Sequence, residues 1–166
     1  MSDQQETSSG YDPRQAALFE QVYRETSHFD RFLGMQLSVH GPGAIEYRLC
    51  LEEQHLSPTG ACHGGVIAAM MDAVLGVTAL SWAIPRDRLC ATVEFKLNYF
   101  ASAQGGDCLS GRAQLEFTGS RLVVVSGKIT DLNTGQAVAR GMGTFNLYPI
   151  GKRTHLLTRL RQEPVK

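Results

Sequence analysis

The segment Val66–Leu80 (Val-Ile-Ala-Ala-Met-Met-Asp-Ala-Val-Leu-Gly-Val-Thr-Ala-Leu) restricts this chain's possible folds more than any other stretch. It is rich in good helix formers, and no proline follows until Pro85, so it is predicted to be helical. Such a helix is apolar nearly all round, which predicts burial on every side. Asp72 interrupts that pattern at its middle. A carboxylate in those surroundings must be hydrogen-bonded, neutralised or used. It is either a structural acid tied to backbone or hydroxyl groups, or a reactive group.

The residues ahead of the helix add a second constraint. Ser57-Pro-Thr-Gly-Ala-Cys-His-Gly-Gly65 leads into it, and Gly64 and Gly65 leave the first turn without side chains. A ligand can therefore approach the backbone there. The first N–H groups of a helix lack internal partners and carry the positive end of its dipole, which suits an oxygen that gains negative charge. His63 and Asp72 lie nine residues apart, roughly half a turn off one face. One copy of the helix does not aim both features at one point; two copies in a dimer can.

The flanking sequence predicts strands. Met35, Leu37 and Val39 alternate with polar residues, Gly41-Pro-Gly43 turns, and Ile45, Tyr47, Leu49 and Leu51 alternate again, with Glu46 on the polar side. After Pro85, Leu89, Ala91, Val93, Phe95, Leu97 and Tyr99 fall on one face by the same rule. Strands are also predicted over 109–117, over 122–130 and from Ala137, where Ala139, Gly141 and Gly143 form a small-residue face that lets a sheet approach closely. Two strands, a buried helix and four more strands make an antiparallel α+β domain over residues 11–149. Its first part, 11–28, reads as an amphipathic helix capped by Asp12-Pro13, with a packing role over a sheet edge or substrate mouth. Residues 1–10 read as a disordered tail, and 150–166 as a basic tail that could form a short helix.

Composition excludes some roles. Lysine plus arginine equals aspartate plus glutamate at 16 each, so nothing electrostatic points to nucleic acid or an anionic membrane. Residues 65–84 are long enough for a membrane span, but Asp72 near their midpoint and the strands on both sides favour a core helix. The four cysteines form no C-x-x-C pair and are expected to be reduced thiols in a cytoplasmic protein, not metal ligands.

His63-Gly64-Gly65 with Asp72 nine residues after the histidine, Ala91–Tyr99, and Gly119-Ser-Arg-Leu122 together resemble the hotdog-fold acyl-CoA thioesterases of the phenylacetate-pathway (PaaI-type) branch. The resemblance spans roughly 32–148. It implies about six curved antiparallel strands wrapped around one long helix, and hydrolysis of an acyl-CoA without metal or redox cofactor, coenzyme A being part of the substrate. It implies Asp72 as general base or nucleophile, the Gly65 N–H as polariser of the thioester carbonyl, and His63 as an orienting group. Thr92 would assist the acid, although its alternation with Cys90, Glu94 and Lys96 also suits an ordinary strand threonine. Ser57 stands where relatives carry an amide, and Gly76 where some carry a threonine. Gly64, Ser120 and Arg121 would meet the coenzyme. A homodimer at least, often a homotetramer, is implied. A non-catalytic acyl-CoA-binding hotdog is the alternative.

Overall fold

The computed structural model describes residues 13–151. The expected tail over 1–10, the Asp12 cap and the basic segment from 152 onward lie outside the described residues. Two helices come first, α1 (Pro13–Thr26) and α2 (His28–Phe32), and then the hairpin β1 (Gln36–Gly41) and β2 (Ala44–Cys50). The long helix α3 (Gly64–Ala83) follows, then β3 (Arg88–Tyr99), β4 (Cys108–Thr118), β5 (Leu122–Asp131) and β6 (Ala137–Pro149). The six strands form one antiparallel sheet in the order β1-β2-β4-β5-β6-β3. This is the expected α+β architecture of a curved sheet around a central helix.

Missing side chains let α3 sit close to the sheet. A Cβ at Gly111 would lie 2.5 Å from Val74 Cγ2, one at Gly127 would lie 2.9 Å from Leu75 Cδ2, and one at Gly141 would lie 2.8 Å from Met71 Cγ. The helix packs against β2 through β6, and its Met70, Met71, Val74 and Leu75 are fully buried. With the turn that follows, α3 has the length and apolarity of a membrane span, and here it is the core helix of the sheet.

Several expectations need correction. The helix is not buried on every side: Ala69, Asp72, Ala73 and Gly76 form a half-buried stripe. Five strands contact the helix, but the curved sheet does not close over this stripe, which faces α1 and α2. Glu46, assigned to the polar side of β2, is buried. It accepts from Ser110 Oγ at 2.7 Å and pairs with Arg48 at 3.2 Å and Arg112 at 3.1 Å. Burial opposes its charge, but these bonds outweigh burial and hold its pKa down to about 2.

Cys50 and Cys108 are joined by a disulfide and are not the reduced thiols expected. They face each other in the β2–β4 register, so strand pairing places two sulfurs together from positions 58 residues apart. The cysteines therefore no longer argue for a reducing compartment.

The strict alternation read on β3 also fails. Thr92 pairs with Phe145 and Glu94 with Thr144, so Val93 is an extra residue in a bulge. Before the bulge Cys90 and Thr92 share the helix-facing side with Leu147 and Phe145; after it that side passes to Phe95 and Leu97. A bulge re-aims side chains in this way because it adds one residue to a two-residue repeat.

Candidate active site

Asp72 lies in the third turn of α3, on its half-buried stripe. The bulge at Val93 turns Thr92 toward it, and Thr92 Oγ1 donates a hydrogen bond to Asp72 Oδ1 at 3.2 Å. The two residues line a cavity of about 250 Å³. The small side chains of Ala69, Ala73 and Gly76 make its floor along the helix. Tyr23 of α1, with Phe29 and Asp30 of α2, forms the opposite wall.

The sequence places the first helix over a sheet edge or substrate mouth, but does not mark Tyr23 or Asp30 as part of a site. Tyr47 Oη donates to Asp30 Oδ2 at 2.5 Å, so a second buried carboxylate stands beside the Asp72 cavity with a fixed partner. Burial, reinforced by the charge of Asp30, pushes the Tyr23 hydroxyl up to about 12, so it stays protonated at neutral pH. Burial first, then the neighbouring Tyr23 and Asp30, raises the Tyr47 hydroxyl further. Tyr23 shares an apolar helical stripe with Phe19 and Val22, and that pattern hides its polar end. The only sequence signal was a tyrosine and an aspartate in the segment ahead of β1.

The start of α3 forms a second group. His63 is the N-cap, and its Nδ1 accepts from the Gly65 N–H at 2.9 Å. The Gly64 N–H meets no acceptor among the described residues, whereas the Gly64 carbonyl accepts from Tyr99 Oη at 2.9 Å. Buried His55 anchors the preceding loop: its carbonyl accepts from the His63 N–H at 2.8 Å, and its ring joins the Glu52 N–H to the Leu33 carbonyl. A cavity of about 330 Å³ opens here between Cys62, Gly64 and the Tyr99–Ala103 segment. Burial pushes the Cys62 thiol up to about 11 and the Cys90 thiol up to about 12, so neither is a ready thiolate nucleophile.

Within one chain these groups stay apart, since nine residues of helix span roughly 13 Å. Ser57 joins neither: its Oγ bonds the Ala61 carbonyl at 2.9 Å and Thr59 Oγ1 at 2.8 Å inside a turn. Ser120 and Arg121 are exposed in the tight β4–β5 turn, which is closed by the Gly119 N–H on the Leu122 carbonyl at 2.8 Å. No cluster of three or more histidine, cysteine or acidic side chains suited to a metal occurs among the described residues.

Known proteins are similar to this chain in sequence and fold. The sequence profile of the thioesterase superfamily matches residues 59–138, from the loop before α3 into β6. Acyl-coenzyme A thioesterase 13 of Homo sapiens is 27% identical over 121 residues, covering 72% of this chain and 85% of that protein. Rv1847 of Mycobacterium tuberculosis, named as a candidate esterase, is 30% identical over 117 residues, covering 70% of this chain and 83% of its own. Its solved structure superposes with a TM-score of 0.69 over 73% of this chain and 96% of that one, at 27% identity. The E. coli PaaI protein, from the phenylacetic acid degradation operon, shares the fold at a TM-score of 0.74 and 19% identity, covering 83% of this chain and 95% of its own. A helix start with paired glycines, an acid in the third turn and a six-stranded wrapping sheet thus sit on a sequence that belongs to the thioesterase superfamily and has its hotdog fold.

Proposed function

We propose that the chain hydrolyses an acyl-CoA thioester at a site shared by two copies, with Asp72 from one and the helix start from the other. The bond between Asp72 and Thr92 beside a cavity of about 250 Å³ carries this reading. The separation of the two groups within one chain supports a shared site, as does the position of Thr92 on an unpaired sheet edge. Pairing of β3 with a second β3 would continue the sheet and bring each helix start toward the other copy's Asp72.

Asp72 then acts in one of two ways. As general base it takes a proton from water while the water oxygen attacks the thioester carbonyl carbon. As nucleophile it attacks that carbon itself and forms a mixed anhydride, which water then cleaves. In both routes the carbonyl oxygen gains negative charge, the C–S bond breaks, and coenzyme A leaves as a thiolate that takes up a proton. The Gly64 and Gly65 N–H groups of the partner subunit receive the oxygen charge, and loss of one such donor costs roughly a hundred- to a thousand-fold in rate. The imidazole of His63 must swing off the Gly65 N–H before the substrate oxygen can use it, so His63 positions the loop and guards the donor. Ser57 lies on that loop, and Ser120 and Arg121 meet the nucleotide end of the coenzyme.

The test is turnover of a panel of aryl and fatty acyl-CoAs by wild type and Asp72→Asn. Asp72→Asn is expected to lose roughly a hundred- to ten-thousand-fold in kcat. Equal background release of coenzyme A by both proteins would sink the proposal. After a single turnover in heavy-oxygen water, label found in Asp72 marks the anhydride, because the general-base route puts label in the acid product alone.

A further inference from the structure

A cavity also lies on the other face of the sheet, away from α3. It is a basin of about 560 Å³, a volume usual for small-molecule sites, and cations surround it. Strand register explains their clustering. Asn98 of β3 stands opposite Arg140 of β6, Arg140 opposite Lys128 of β5, Lys128 opposite Arg112 of β4, and Arg112 opposite Glu46 of β2. Three cations therefore stand side by side across adjacent strands, and Lys96 of β3 adds a fourth at the same basin.

Like charges directly opposite on a sheet destabilise it unless something neutralises them. Glu46 neutralises Arg112 at 3.1 Å and is itself already shared with Arg48 and Ser110. Lys96, Lys128 and Arg140 have no ion pair or side-chain hydrogen bond among the described residues. Glu116, on the same face, is occupied by Ser126 and Gln114. The whole chain is balanced at 16 charges of each sign, so the row is a local segregation of charge and not a by-product of a basic protein. A second copy packed squarely on this row would oppose cation to cation. What the row does match is a compact, multiply charged anion.

We infer that the outer face of the sheet binds an anion carrying two or more linked phosphates, held by Lys128 and Arg140 with Lys96 and Arg112 at its flanks. Linked phosphates meet neighbouring strands because strands are spaced about 4.8 Å apart, within reach of long side chains that converge on one group. This site is distinct from the Ser120–Arg121 turn, which lies roughly 20 Å further along β4. It also faces away from Asp72, because Gly111, Gly127 and Gly141 of the same strands present their other side to α3. Nucleotides, inorganic pyrophosphate and coenzyme A itself all carry the required chemistry.

Calorimetric titration of the full chain with pyrophosphate, metal-free ATP, free coenzyme A and single inorganic phosphate tests the site. Saturable binding of a linked phosphate, much weaker for single phosphate and falling steeply with added salt, is expected. Lys128→Gln and Arg140→Gln should each weaken binding roughly tenfold or more, and Arg140→Lys should restore part of it. Binding of coenzyme A in competition with pyrophosphate would make the substrate's own phosphates the source; binding of ATP or pyrophosphate alone would make it a separate ligand. Thermal unfolding gives an independent reading. Pyrophosphate should raise the melting temperature of wild type but not of the Lys128→Gln/Arg140→Gln variant, which should melt higher than wild type in phosphate-free buffer. Absence of saturable binding overturns the inference, as does binding that the double variant leaves intact. A changed oligomeric state in that variant with no change in anion binding would make this face a chain–chain contact and overturn it equally.

Discussion

The two edges of the sheet are treated differently. On one edge, β1 is six residues long, ends in a bulge between Val39 and Gly41, and is covered by α1. Even an edge amide is used, since the Val39 N–H donates to Glu20 Oε2 of that helix at 3.0 Å. On the other edge, β3 runs for twelve residues with no strand beyond it among the described residues, and Val93, Tyr99 and Phe100 are all more than half exposed. Edges left long and bare invite pairing, and proteins usually shorten, cover or charge them. Here the covered edge is remote from Asp72, and the bare one carries Thr92 against it. On the shared site proposed above, β3 is the edge left open for pairing with a second copy, whereas β1 is closed within the chain.

Substitutions can break this contrast. The largest effect should come from Val93→Lys, which places an edge-blocking charge on β3. It is expected to shift the protein toward monomer in sedimentation and to remove most of the thioesterase activity, while His40→Lys on β1 changes neither. If Val93→Lys stays assembled and active, β3 is not the shared edge. Thr92→Val keeps the edge but deletes the hydroxyl on Asp72. A hydrogen bond to a charged group predicts a loss of about tenfold in kcat, with KM and assembly little changed.

Acid probes the covered side. Glu46 has a pKa lowered to about 2 from an ordinary 4.5, so its contribution is present above about pH 4.5 and is lost as pH falls toward 2. Unfolding free energies from denaturant titration should fall over that window by up to about 3 kcal/mol, and Glu46→Gln should flatten the dependence. The smallest effect belongs to Glu20→Ala, which frees the Val39 N–H. It should cost about 1 kcal/mol in urea unfolding and leave activity unchanged.

Much of the architecture was legible from periodicity. The six strands and their turns follow from repeats of two, and the helix over 66–80, apolar nearly all round, follows from helix-forming residues uninterrupted by proline; each signal reports a single element. Periodicity does not reveal neighbours. The pairing of Glu46 with Ser110 and Arg112, and that of Cys50 with Cys108, join positions some sixty residues apart through a register that no local pattern contains. For the same reason β3 read as evenly alternating, because one extra residue at Val93 leaves no mark in hydrophobicity. Asp72 was conspicuous as a charge among apolar residues, whereas Tyr23 and Asp30 were not, since a covering helix tolerates both on ordinary grounds.

The bare backbone at Gly111, Gly127 and Gly141 has a consequence for how such a protein can vary. A methyl at any of the three would meet Val74, Leu75 or Met71 inside 3 Å and lift the helix off its bed. The contact between Asp72 and Thr92, already 3.2 Å long, has no slack to absorb such a rise. The reach of the Asp72 oxygen, the reactive one on the function proposed above, is thus calibrated by positions that carry no functional group at all.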